Sequence, residues 1–170
     1  LGWVAANPRR PAVTNMSLGG GASAAHDAAV SRTSARGIPV VVSAGNSNSD
    51  ACNASPAREP SAITVGATGM NDPRAPSSSS GSCLDLFAPG VGIRSSATSP
   101  SGSLTLSGTS MSAPHVTGMA ALAKQLQPGA TAAQVSDTIR AMATPGKVTN
   151  AGTGSPNLLL YTRALGGGAP

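Results

Sequence analysis

Apolar residues in this chain gather in short runs that alternate with polar, turn-forming stretches. Residues 12–18 (Ala-Val-Thr-Asn-Met-Ser-Leu) read as a buried strand that stops at Gly19-Gly20-Gly21. Residues 23–36 place Ala, His26, Val30 and Arg at helical spacing, with Gly37 where a helix C-cap falls. Residues 38–43 (Ile-Pro-Val-Val-Val-Ser) are the strongest strand signal and end at Ala44-Gly45-Asn46. Strand, helix and strand in that order form a βαβ unit with two parallel strands. Further short strands are expected at 62–66, 84–87 and 104–107, and the segment 69–82 is rich in turn residues. Residues 110–126 read as a buried helix, with Met111, Met119, Leu122 and Leu126 on one side. Pro114 falls in its first turn, where a missing N–H costs little. Residues 131–143 form an amphipathic helix that opens with a Thr131-x-x-Gln134 capping box and turns Val135, Ile139 and Met142 to one face. A strand over Leu158-Leu159-Leu160 follows, then a Gly-rich tail at 166–170 that is expected to be disordered. The pattern predicts one α/β unit over 1–165, a parallel sheet flanked by helices.

Composition narrows what such a unit can do. Phe, Trp and Tyr occur once each, charged residues make up 10%, and Gly and Pro number 21 and 14. The core therefore packs small side chains between closely spaced backbones. Without aromatic side chains there is no platform for stacking bases. No apolar stretch is long enough to span a membrane. Lys and Arg total 11 against 6 Asp and Glu, a net charge of +5. The basic residues are scattered. Arg9 and Arg10 are adjacent but flanked by Pro8 and Pro11, which describes a solvated loop and not a nucleic-acid face. The chain opens Leu1-Gly2-Trp3, with neither Met nor a signal peptide, and reads as a processed or excised piece. Cys52 and Cys83 are an even pair with no CxxC and no His nearby in sequence. That spacing disfavours a metal site and leaves either a disulfide in an oxidising compartment or two buried thiols.

The chemistry concentrates in Ser107-Gly108-Thr109-Ser110-Met111-Ser112-Ala113-Pro114-His115-Val116. A serine at a glycine turn entering an apolar helix meets unpaired N–H groups and a dipole that favours developing negative charge. Such a serine is inert without a base, and the same pattern also describes a plain helix N-cap.

The string Gly108-Thr109-Ser110-Met111-Ser112-Ala113-Pro114-His115 resembles the nucleophile motif of the subtilisin-like serine proteases, the subtilases. Asn15-Met16-Ser17-Leu18-Gly19-Gly20 resembles the substrate-binding strand of that family, and Ala44-Gly45-Asn46 its oxyanion-hole turn. The three blocks stand in the family's order and spacing. Asp50-Ala51-Cys52-Asn53, Ser55-Pro56-Ala57, Thr64-Val65-Gly66-Ala67 and Asp85-Leu86-Phe87-Ala88-Pro89-Gly90 point to the proteinase K-like branch. The likeness runs from about residue 3 to 163 and implies a secreted, extracellular serine endopeptidase, of which this chain is the C-terminal part of the catalytic domain.

Carried over residue by residue, the resemblance makes Ser110 the nucleophile. The Asn46 amide and the Ser110 N–H become the oxyanion hole, and Ser17, Leu18, Gly19 and Gly20 become the strand that pairs with a peptide or protein substrate. Ser43, Ala44, Gly45 and Thr109 complete the binding residues. Small residues at 17–21 and 43–45 imply a roomy, mainly apolar pocket for the side chain before the cut. Subtilases order their triad Asp, His, Ser, so both earlier members are expected in a segment upstream of residue 1. His26 and Asp27 are sequence neighbours that point about 100° apart on a helix, and His115 lies inside the helix after Ser110. None of the three matches a catalytic motif. The branch also implies a Cys52–Cys83 disulfide, and structural calcium held by the carbonyls of Pro60 and Ala62 and the carboxylate of Asp85. Two departures stand out: Ser77–Ser80 replace an aromatic residue and an Asn usual in relatives, and Ala54 replaces a common Tyr. A second reading is an inactive fragment or peptide-binding scaffold that lacks the base. An α/β-hydrolase esterase is disfavoured because no G-x-S-x-G occurs.

Overall fold

The computed structural model describes residues 1–98 and 102–162. The Gly-rich tail expected at 166–170 lies outside the described residues. A short helix α1 (Gly2–Ala6) precedes β1 (Thr14–Met16), β2 (Gly20–Gly21), α2 (Ala24–Ser34) and β3 (Val40–Ser43). A 3-10 turn at Ala51–Asn53 leads into β4 (Ala54–Ser55), β5 (Ile63–Thr68) and β6 (Leu86–Pro89). There follow β7 (Ile93–Ser96), β8 (Ser103–Leu106), α3 (Thr109–Leu126), α4 (Ala132–Met142), β9 (Thr144–Pro145) and β10 (Leu158–Leu159).

Among the described residues the main sheet has six strands in the order β1-β3-β5-β6-β10-β9. The first five run parallel, and β9 joins β10 antiparallel at the far edge. The βαβ unit read from the sequence is β1-α2-β3, with Thr14, Asn15 and Met16 opposite Val40, Val41 and Val42. Every residue of β3 and β5 is buried, because the sheet is covered on both faces and cannot afford polar alternation. The two-residue period still divides them. Val41, Ile63, Val65, Leu86 and Ala88 face α3, while Val40 and Val42 face Val30 of α2. Phe87 points away from α3, against Leu84, Ala44 and Ala57.

Helix α3 rides on the sheet through Ala113, Val116, Met119, Ala120 and Ala123. The alanines let the helix come close, as the composition requires. The expected apolar side of this helix is only partly right. Met119 is buried, but Leu122 and Leu126 are 46% and 60% exposed. The seam is set by small residues at 113, 116, 120 and 123, and the leucines stand on the other side. Helix α4 behaves as read: Val135 and Ile139 are buried, Met142 packs beside them, and both bonds of the Thr131–Gln134 capping box form.

Several short elements were not legible. Helix α1 carries Trp3 at 76% exposure, so no apolar face marks it. Strand β7 (Ile-Arg-Ser-Ser) has one apolar residue and is held by pairing with β8 in a separate hairpin. Strands β2 and β4 are two-residue pairings made by backbone alone.

Two links fix the loops at the sheet's edge. Cys52 and Cys83 form a disulfide at a sequence separation of 31, which selects the first of the two cysteine readings. Asp27 on α2 receives two bonds from Arg58, Nε at 2.8 Å and Nη2 at 2.7 Å. Burial pushes the Asp27 carboxyl up. Hydrogen bonding from Ser55 and Arg58 and the Arg58 charge outweigh that, and the net pKa falls below the usual 3.8.

Three outcomes follow from this packing. Replacing both cysteines by Ser lowers stability by about 3–4 kcal/mol in urea unfolding, the chain-entropy value for a loop of this length. A Cβ on Gly66 would stand 2.5 Å from the Phe87 ring and 2.8 Å from Leu84 Cδ2, so Gly66→Ala destabilises by about 1–3 kcal/mol. Asp27 binds its proton more weakly when folded, so its stabilisation is present above the unfolded pKa and disappears as pH falls through the folded one. Asp27→Asn therefore costs roughly 0.5–1 kcal/mol at pH 7, and the gap between the two proteins closes well below pH 3.8, as urea midpoints taken across pH would record.

Candidate active site

Three chain segments meet at the C-terminal ends of the parallel strands: the exit of β1, the exit of β3 and the first turn of α3. That end of an open parallel sheet is where ligands bind. Ser110 is the second residue of α3. Ahead of it Gly108 has φ 146°, in the range that favours glycine, and a Cβ there would meet Asn46 Nδ2 at 3.2 Å. The turn is held from below, because Gly108 N–H donates to Gly90 O at 2.7 Å and Ser112 Oγ donates to Ala88 O at 3.0 Å. Strand β6 thus supports the helix start that carries Ser110.

Asn46 follows β3 through Gly45, whose φ is 105°. Its side-chain oxygen accepts two bonds from Thr109, from N–H at 2.8 Å and from Oγ1 at 3.0 Å. The Thr109 hydroxyl in turn accepts from Gly45 N–H at 3.2 Å. Two donors on the oxygen fix which way the amide points, so the NH₂ faces away from Thr109 with both hydrogens free among the described residues.

Ser17 and Ser110 bond reciprocally. Ser110 Oγ donates to Ser17 O at 3.2 Å, and Ser17 Oγ donates to Ser110 O at 2.7 Å. Asn15 Nδ2 donates to Ser17 Oγ, and Ser43 Oγ donates to Leu18 O at 3.2 Å. The segment 17–19 is therefore strung between β3 and α3 with its backbone orientation fixed. Beyond it β2 pairs with β4.

These elements enclose a cavity of about 440 Å³. Leu18, Gly19, Gly20, Ser43, Ala44, Gly45, Asn46 and Ser110 line it. Thr109 does not; it is buried beneath and acts by holding Asn46. Ser17 lies at the rim, bonded to Ser110. The wall is less apolar than expected, since Ser47, Ser49, Ser55 and Ser79 add hydroxyls to those of Ser43 and Ser110. Ser49, Ala54, Ser55, Ala57 and Ser79 were missed as lining residues. The departures at 54 and 77–80 and the Ser55-Pro56-Ala57 motif marked four of them, and Ser49 had no sequence signal. Ser110 also borders a second cavity of about 370 Å³, with Ile93, Arg94, Met111, Pro114 and His115.

Neither histidine bonds to Ser110. His115 is exposed, and its Nδ1 donates to Met111 O at 2.8 Å, which binds the ring to its own helix. His26 is exposed on α2, and its neighbour Asp27 is engaged by Arg58.

Asp85 sits elsewhere, at the start of β6. It lines a cavity of about 540 Å³ with Pro60, Ala62 and Arg140. Burial pushes the carboxyl above its usual 3.8; a bond from Thr64 N–H at 2.8 Å and the charge of Arg140, 3.8 Å away, offset this only in part. Among the described residues no three His, Cys, Asp or Glu side chains cluster as metal ligands.

Known proteins are similar to this chain in sequence and fold. The Subtilase family model matches residues 1–159. The chain is 58% identical over 163 residues to the extracellular serine proteinase of Thermus sp. (strain Rt41A), covering 95% of this chain and 40% of that protein. It is 50% identical over 160 residues to alkaline serine exoprotease A of Vibrio alginolyticus, covering 94% and 30%. A crystal structure of a cold adapted subtilisin-like serine proteinase superposes with a TM-score of 0.91 at 49% identity, over 95% of this chain and 58% of that one. The chain thus spans less than two thirds of the relatives it matches. No described helix is long and apolar enough to cross a membrane. The order of the three segments, the fold that brings them to one sheet end and the family match over 1–159 agree: this chain belongs to the subtilase family.

Proposed function

We propose that this chain carries the nucleophile, the oxyanion hole and one wall of the substrate groove of a secreted serine endopeptidase. The supporting observation is the Thr109–Asn46 clasp, which turns the Asn46 NH₂ free beside Ser110 at a helix N-terminus. In this reading an extended peptide lies along Ser17–Gly20, with one side chain in the cavity beside Ala44 and Gly45. Ser110 Oγ attacks the scissile carbonyl carbon and gives its proton to a histidine. The oxyanion is held by Asn46 Nδ2 and Ser110 N–H. Collapse expels the amine, protonated by the same histidine, and water then hydrolyses the acyl-serine.

The histidine and its orienting aspartate belong to a segment upstream of residue 1. Two surfaces suit such a segment. Strand β1 has an unpaired edge, and α3 leaves Leu122 and Leu126 exposed. The disulfide fits an oxidising, extracellular setting. Without the upstream segment Ser110 Oγ is left donating to Ser17 O, which would make the chain a peptide-binding scaffold.

The residues around Asp85 fit calcium, because a desolvated carboxylate with one cation 3.8 Å away retains uncompensated charge. Pro60 and Ala62 would supply carbonyl oxygens beside it. The ion would tie the loop before β5 to the start of β6 and would take no part in the chemistry.

A fluorophosphonate is expected to add to Ser110 in the protein that includes the upstream segment, and intact mass would record it. The 170-residue chain alone is expected to take no label, and labelling of the chain alone would overturn the division of the site. Asn46→Leu lowers kcat by about 10²–10³ with KM within a few-fold, the magnitude established for this donor in subtilisin itself. Calcium raises the wild-type Tm over an EGTA control, and Asp85→Asn removes that increment. An equal rise in both proteins would move calcium to another site.

A further inference from the structure

We infer that the cavity beside Ser110 discriminates for a phenolic side chain, tyrosine over phenylalanine, through the buried hydroxyl of Ser79. The inference rests on the proteolytic reading above. Ser79 is only 2% exposed and still lines the cavity. Its nearest hydroxyl partner, Ser49 Oγ, is 3.5 Å away, beyond the usual range for an O–H···O bond. The Ser79 hydroxyl therefore keeps hydrogen-bonding capacity in a buried part of the wall, whereas Ser49 is exposed to solvent.

The backbone of Ser79 is fixed. Its N–H donates to Gly45 O at 2.9 Å, and its carbonyl accepts from Ser78 Oγ at 3.0 Å. The hydroxyl lies against Gly45, where an added Cβ would meet it at 3.1 Å, one residue before Asn46. Ala44, Ala54, Ala57 and glycine backbone give part of the wall flat surfaces suited to an aromatic ring, and of the remaining hydroxyls Ser43 donates to Leu18 O and Ser55 accepts from Ser23 N–H. At about 440 Å³ the cavity has room for such a ring, and Ser79 is among the residues that line it. A phenylalanine ring would offer the buried Ser79 hydroxyl no partner. A phenol both donates and accepts there. Among the described residues no carboxylate lines the cavity, so a lysine or arginine would be desolvated with no counter-charge from them.

The test uses the protein with its upstream segment and two peptide nitroanilides that differ only in Tyr or Phe before the cut. A matching pair of peptide boronic acids, read as Ki, reports binding apart from turnover. The wild type is expected to favour Tyr by about three- to tenfold in kcat/KM and in Ki. Ser79→Ala brings the ratio to about one, and Ser49→Ala lowers it part-way. A wild-type ratio near one, with the Phe peptide still cleaved, overturns the inference and leaves the proteolytic reading standing. A ratio unchanged in both variants overturns the role of Ser79. If neither peptide is cleaved and neither boronic acid binds, the proteolytic reading fails and the inference fails with it.

Discussion

The geometry of the site depends on one side-chain oxygen. Asn46 Oδ1 accepts both donors of Thr109 and in doing so joins the exit of β3 to the first turn of α3. An amide has two ends. Saturating the acceptor end with buried donors leaves the donor end no orientation but outward. The clasp also occupies the N–H at the start of α3, which would otherwise be buried unpaired, and the proton of the Thr109 hydroxyl, whose oxygen accepts from Gly45 N–H. Ser110 is placed by the same turn, since its backbone follows directly from Thr109. Position and electrostatics therefore share one origin, and a change at Thr109 would disturb both the Asn46 amide and the turn that carries Ser110.

Beneath the clasp is a core built from small residues. Val40, Val41 and Val42 fill both sides of the central strand, and the alanines of α3 let that helix lie close to it. Close approach permits short backbone bonds between elements, such as Gly108 to Gly90. A bulkier seam would lift α3 and carry Ser110 away from Ser17. The scarcity of aromatic residues and the precision of the site are thus connected: short side chains leave the backbone to do the positioning.

Much of this was legible in the sequence. The main strands and three principal helices follow from continuous apolar runs, a capping box and glycine stops, because those signals arise from local physics. The Ser110 turn, the Asn46 turn and the Ser17–Gly20 segment were legible through the family resemblance, because each is a short run of particular small residues in a fixed order. Elements held only by pairing were not. Strands β2, β4, β7 and β9 have no apolar pattern of their own and exist because a partner passes beside them. The burial of α3 was misjudged because size and burial were equated, whereas the seam selects alanine and leaves Leu122 and Leu126 outside. The polarity of the cavity wall was also hidden. It is assembled from β4, the loop after β3 and the 77–80 turn, whose convergence is a tertiary event.

The strand pairings carry a kinetic consequence. Leu159 lies opposite Phe87, and Leu86 to Pro89 lie opposite Val65 to Thr68, so each sheet contact closes a long stretch of chain. Parallel pairing of this kind costs loop entropy before any contact repays it, which slows folding independently of final stability. While the sheet is incomplete, Val40 to Val42 and Ile63 to Val65 stand open as β-forming segments that carry no charge. Such segments recruit copies of themselves when the waiting time is long. The feature that makes the finished core dry on both faces therefore makes the unfinished one sticky, and the yield of native protein is set by the race between closure and self-association.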